Sequence, residues 1–163
     1  MKSMLAAGLL ISLGVPLIGA GDDPSSRLSL RGVKAFDVLV EDIPNAPPGL
    51  RRGDFQTDVE LRCRQAGIRV GGSPGAYLYI DVNLQELFYA NGRSEGVYAV
   101  SIGVEFNQPV LLERDPNIRL MAPTWSRRGV GTVDLRDLRT FCRESVRDKV
   151  DKFLNAFLEQ NPR

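Results

Sequence analysis

The chain has 163 residues, with 21 basic and 20 acidic side chains and no histidine. The missing histidine excludes Ser-His-Asp and Cys-His catalysis and the common His-based zinc and iron sites, and near-neutral charge offers no field for nucleic acid or an anionic membrane. Any chemistry must run on carboxylates, Tyr, Lys, Arg, Ser or the two cysteines, which alone cannot make a structural zinc site; no metal or cofactor is expected.

The N-terminus reads as a targeting segment. Met1-Lys2 is a short basic start, and the run from Met4 to Ala20 carries no charge. A polar Gly21-Asp22-Asp23-Pro24 follows, which completes the anatomy of a secretory signal peptide. A comfortable membrane span needs about 20 apolar residues, and Gly14 and Pro16 interrupt this run; an uncleaved N-terminal anchor is the competing reading. Small residues place cleavage near Ala20 or Gly21. No cysteine follows the run, so the pattern of a lipid-anchored lipoprotein is missing. Residues 1–21 are therefore expected to be a signal peptide, 22–30 a flexible leader, and 31–162 one domain. The expected location is periplasmic or extracellular, with no stable membrane span after cleavage. Loss of Lys2 leaves 20 basic against 20 acidic residues, a net charge of zero.

Val33 to Ile43 is rich in β-branched and aromatic residues and predicts a first strand. The Pro44 to Gly49 stretch ends it as a rigid loop. From Arg51 to Ala66 the period changes: Phe55, Val59, Cys63 and Ala66 form one stripe of a helix, with Asp54 or Gly49 as start signals and Gly67 as the stop. Ile68-Arg69-Val70 predicts a short strand, and Gly71 to Gly75 a loop.

The centre of the chain is β. Leu78, Ile80, Val82 and Leu84 alternate with Tyr77, Tyr79, Asp81 and Asn83. Val100, Ile102, Val104 and Phe106 alternate with Ser101, Gly103, Glu105 and Asn107. Such alternation predicts strands with one dry and one wet face. Pro109 marks an edge or a bulge. A two-residue turn at Asn91-Gly92 would set dry residues opposite wet ones, which period two forbids; an odd-length loop or a bulge is required. A five-residue loop, Asn91 to Glu95, would place Asp81 opposite Glu105. A third β stretch, Met121 to Val133, carries Trp125.

The last element is a long helix with Asp134 as its cap signal and Asp137 three residues on. Leu138, Cys142, Val146, Val150, Phe153 and Phe157 are its apolar stripe. The order β-α-β-β-β-β-α predicts an α+β two-layer sandwich: an antiparallel-dominated sheet with two helices on one face and the other face open.

The segments Leu30–Val40 (LRGVKAFDVLV), Thr57–Val70 (TDVELRCRQAGIRV), Ala76–Val82, Gln108–Glu113, Thr124–Val133 (TWSRRGVGTV) and Val146–Pro162 resemble a family of small exported bacterial proteins of unknown function. The resemblance implies export and a single domain, and nothing about activity. The element order is also similar to that of small envelope modules such as the N-terminal domain of TolB and penicillin-binding-protein activator domains.

Four constellations are candidate sites. Cys63 and Cys142 lie on the apolar stripes of their helices; they either pair in an oxidising compartment or stay as buried reduced residues, depending on their separation. Tyr77 and Tyr79 on the wet face, with Trp125 and Arg127 nearby, make a candidate binding platform, against an ordinary wet sheet face. Asp81 and Glu105 are a candidate acid–base pair for a hydrolase, against two solvated surface acids. Arg127-Arg128 beside Gly129-Val130-Gly131 suits an anion-binding loop in composition but lacks phosphate-loop spacing, so a turn with solvated arginines is expected. The functional expectation is a non-catalytic binding or adaptor module of the cell envelope, with an envelope protein as partner; self-association and a hydrolase are the alternatives.

Overall fold

A sheet with one apolar face must bury it, and two amphipathic helices supply the cover. The computed structural model describes residues 22–72 and 75–162; the expected signal segment lies outside them. In chain order come α1 (Pro24–Leu28), β1 (Ala35–Val40), α2 (Arg52–Gln65), β2 (Arg69–Val70), β3 (Tyr77–Phe88), β4 (Ser94–Leu112), β5 (Asp115–Asp134) and α3 (Leu138–Gln160). The sheet order is β2-β1-β3-β4-β5. β1 pairs in parallel with both β2 and β3, whereas β3, β4 and β5 form an antiparallel meander. The fold is thus α+β and mostly antiparallel, as expected. No helix among the described residues is long and apolar enough to cross a membrane.

α2 ends as its sequence requires. Gly67 adopts φ 75°, Ile68 N–H bonds Cys63 O at 2.9 Å and Gly67 N–H bonds Arg64 O at 2.9 Å, which satisfies carbonyls that a helix end leaves open. Its start differs from expectation: Arg51 is the cap position and makes no side-chain cap bond. α3 likewise begins later, after Asp137 rather than Asp134.

The core lies between the helices and the inner sheet face. Phe36, Phe106, Trp125, Phe153 and Phe157 meet there with ring centroids 5.2–6.0 Å apart, mostly edge-on, a geometry worth about 0.5–1.5 kcal/mol per pair beyond area burial. Leu78, Ile80, Val82, Val100, Ile102 and Val104 complete the inner face, and the whole predicted stripe of α3 is buried against it.

Residues 22–30 are not a flexible leader. Asp23 caps α1 through Ser25 and Ser26 N–H, Leu30 is fully buried, and Asp22 accepts from Arg27 at 2.8 Å and from Trp125 Nε1–H at 3.3 Å. Burial works to raise the Asp22 pKa, but the bonds from Arg27 and Trp125 outweigh it and hold the carboxyl below its ordinary value. The Ser-rich composition concealed a short segment fixed by one buried leucine and one partly buried acid.

The β3–β4 connection meets the parity requirement through its loop. Its loop is odd, Tyr89 to Arg93, closed by Tyr89 N–H to Arg93 O and Gly92 N–H to Tyr89 O, both 2.9 Å. A register shift also falls between Glu86 and Phe88. The result places Asp81 opposite Gly103, and Tyr79 opposite Glu105, one pair away from the expected Asp81–Glu105 match.

Beyond the Tyr77–Asn107 pair, β3 no longer accompanies β4. β4 and β5 continue alone to the Glu113-Arg114 turn, as a two-stranded arm. Leu111, Ile118, Leu120 and Met121 on it are exposed.

Candidate functional site on the open sheet face

The outward residues of β3, β4 and β5 interlock around a glycine. Gly103 lies between Asp81 on β3 and Arg128 on β5. A Cβ at Gly103 would collide with the Asp81 carboxylate and come within 3.1 Å of Arg128 Nη1. The absent side chain is therefore what lets Asp81 lie across β4 and Arg128 reach over to meet it. Arg128 donates to Glu105 Oε1 from Nε at 3.1 Å and from Nη2 at 2.7 Å, and to Asp81 Oδ1 from Nη1 at 3.4 Å. Asn83 Nδ2 also donates to Asp81 Oδ1, at 3.1 Å. Tyr79 OH donates to Glu41 at the side of this cluster.

Asp81 is only 3% exposed although it sits on the uncovered face. Its Oδ2 is buried and has no hydrogen-bond partner among the described residues. Burial pushes the Asp81 carboxyl up; Arg128 opposes this, and Glu105 and Glu41 reinforce it. The bond to Glu41 pushes the Tyr79 hydroxyl up to about 12, so Tyr79 remains a donor at neutral pH. A carboxylate pair, a guanidinium and a phenol can hold or exchange a polar, donor-rich group here.

The structure separates the expected platform. Tyr77 and Tyr79 are half-buried on the open face. Trp125 is not with them: it points inward, 1% exposed, with its ring 5.2 Å from Phe153. Arg127 also faces the helix side, its Nε 3.6 Å from Asp22 Oδ2. Trp125 and Arg127 therefore anchor the α1 segment and do not serve a platform. The orientation of β5 decides this, because a register shift between Phe106 and Asn107 resets which of its residues face inward.

The expected turn at Arg127-Arg128-Gly129-Val130-Gly131 is instead strand. A Cβ at Gly129 would meet Lys149 Nζ at 3.1 Å, and one at Gly131 the Phe141 ring at 3.0 Å. These glycines admit α3 close to the sheet, and Val130 between them is outward and 73% exposed. The two solvated acids of the sequence reading are also corrected, since Asp81 is buried and Arg128 joins both. Cys63 and Cys142 are both buried and free; burial pushes their thiols up to about 12 and about 11, so both are protonated and weakly nucleophilic. Among the described residues no three or more acidic, cysteine or histidine side chains come together to hold a metal.

Sequence reasoning assigned Arg128 to a solvated turn and Gly103 to an ordinary wet face, and did not bring either to Asp81 and Glu105; Glu41 it passed over. The available signal was a glycine inside an otherwise clean alternating strand, which marks close approach of another group.

No family model matches the chain, and no curated protein matches it. Solved structures with a similar arrangement include rare lipoprotein B from Shewanella oneidensis (13% identity, 77% of this chain and 96% of that chain, TM-score 0.39). A PelC dodecamer from Paraburkholderia phytofirmans is 14% identical over 78% of this chain and 92% of that one, with TM-score 0.40. A minor lipoprotein from Acinetobacter baumannii is 9% identical over 78% and 91%, with TM-score 0.32. Identities and scores this low assign neither a family nor an activity.

Proposed function

We propose that this chain is an exported, non-catalytic binding module of the bacterial envelope that docks a protein partner through the open sheet face and the arm continuous with it. The observation that carries the reading is the arm. Leu111 is 61% and Met121 42% exposed on a hairpin that leaves the rest of the sheet. Two-stranded ribbons are marginal alone in water, and exposed apolar clusters mark interaction sites. The uncharged run from Met4 to Ala20 supports export.

Self-association is the second reading, favoured by the terminal position of the 20-residue β5, whose outer edge a second copy could extend. Pro116 and Pro123 on β5 lack N–H donors and weaken that edge. A hydrolase built on Asp81 and Glu105 would need its scissile bond between the two carboxylates, where Arg128 now sits.

The test is photo-crosslinking in the native host from probes at Leu111 and Val130, with Arg147 on the exposed helix layer as control. A shared, reproducible envelope protein captured from the first two positions supports the docking reading. Crosslinks only to a second copy, with a dimer in light scattering, replace it with self-association. Equal labelling from all three positions removes both.

A further inference from the structure

We propose that the Asp81–Glu105 cluster is the receptor for a basic side chain, lysine or arginine, presented by the protein segment that docks on the open face. This rests on the docking reading above and adds the chemistry of what is recognised.

Asp81 Oδ2 is buried and has no hydrogen-bond partner among the described residues. A buried carboxylate oxygen without a donor is costly and needs a reason. It lies over Gly103, where no side chain stands in its way. Folding does not require an acid there: the inner face already holds the core, and an outward serine or threonine would satisfy the sheet. The cluster also lacks positive charge. Glu41, Asp81 and Glu105 surround Tyr79 and one guanidinium, that of Arg128. Both Arg128 bonds to Glu105 end on Oε1. The outward β4 neighbours of Gly103 are Glu105 on one side and the small Ser101 on the other, and a depression of about 420 Å³ over Ala99 and Ser101, between Asn83 and Val130, lies beside the cluster.

Arg128 shows that the cluster binds a guanidinium, and its side chain is half exposed. A partner's ammonium or guanidinium entering along the Ser101 depression displaces Arg128 outward and donates to Asp81 Oδ2 and Glu105. Charge-assisted bonds in a partly dry site discriminate well against neutral isosteres.

The experiment is an amide NMR titration of the whole secreted chain with acetyl-Gly-Gly-Lys-Gly-Gly-amide, its arginine analogue and its norleucine analogue. Saturable shifts at Ser101, Gly103, Glu105 and Arg128 are expected with the two basic peptides and not with norleucine. Asp81→Asn with Glu105→Gln is expected to weaken binding at least tenfold, and Arg128→Ala to strengthen it. Glu105→Gln alone, a milder change, is the second variant should the double variant lose its folded spectrum. Absence of saturable shifts, equal response to norleucine, or unchanged affinity in the acid-to-amide variants overturns the proposal. So does saturation by calcium chloride with no response to either basic peptide. Crosslinks from Val130 that persist in the Asp81→Asn, Glu105→Gln protein leave docking intact and remove only the basic-side-chain inference.

Discussion

The two faces of β4 obey different rules although the same strand supplies both. Inward, Val100, Ile102, Val104 and Phe106 are each at most 2% exposed and meet the aromatic cluster. Outward, Ala99, Ser101, Gly103 and Glu105 are small or charged, and Gly103 is dictated by one neighbour, Asp81. The inner face is explained by apolar burial, at roughly 25 cal/mol per Å² of surface removed from water. The outer face holds a buried acid with one carboxylate oxygen unsatisfied among the described residues. Features that cost stability without serving the core point to function.

Trp125→Ala should be the most costly substitution on the inner face. Trp125 is fully buried against Phe153, so its loss should cost about 3–5 kcal/mol, read as a shifted urea midpoint. Tyr79→Ala, on the opposite face and half-buried, should cost about 1 kcal/mol or less, in line with substitutions outside the core. Equal costs would mean that the faces do not differ as described.

Gly103→Ala comes next, and here the sign is informative. In an ordinary strand interior this change is favourable by about 0.5–1 kcal/mol. At position 103 the new methyl meets the Asp81 carboxylate, so overpacking should reverse the sign and cost about 1–3 kcal/mol. Adding Asp81→Ala should return much of that loss, because residues in contact are not additive. A stabilised Gly103→Ala protein would show that Asp81 does not lie across β4.

The inner face was legible from sequence and the outer face only partly so. Period two placed Leu78 to Leu84 and Val100 to Phe106 correctly, and period 3.6 placed Cys142 to Phe157, because apolar burial imposes both periods. Register was harder. The parity argument demanded an odd loop or a bulge, and the loop is odd, but where it starts and the shift that sets Glu95 to Val97, with Gly96 at φ 67°, against Leu87 are not written in hydrophobicity. The loop lies two residues earlier than Asn91 to Glu95, and with the shift at Leu87 it sets Asp81 opposite Gly103 and not Glu105. Trp125 and Arg127 were misplaced for a similar reason: one shifted position on β5 fixes which side they face. Composition also misled at Asp22 to Leu30, where a polar stretch is anchored by Leu30 and by the Asp22 contacts with Arg27 and Trp125.

Asp81→Asn sharpens the comparison through pH. Burial raises the Asp81 pKa in the fold above the ordinary 3.8, so the folded state holds this proton more tightly than the unfolded chain. Its contribution to stability is full below the ordinary value and is lost as pH rises through the folded value. Asparagine does not titrate. Asp81→Asn should therefore be more stable than the parent at neutral pH, and the advantage should shrink steadily as pH falls through the carboxylate range. A constant difference across urea titrations at several pH values would place Asp81 in water. Ser101→Asn, an uncharged change beside it, should show no such slope.

The smallest effect on stability belongs to the arm, and for that reason it separates folding from binding most cleanly. Leu111 and Met121 are diagonal neighbours on one face of the arm, since Leu111 opposes Arg119 and Pro109 opposes Met121, yet both remain exposed. An exposed side chain has little burial to lose, so Leu111→Ser with Met121→Ser should change the unfolding free energy by about 0.5 kcal/mol or less. Were these side chains merely tolerated on the surface, crosslinking from Val130 would be unchanged by the double substitution. If the arm and the open face form one docking surface, the same substitution should remove the Val130 crosslink while leaving the melting curve in place. A large drop in melting temperature would instead show that the arm packs on its own domain, and the open face would then have to bind without it.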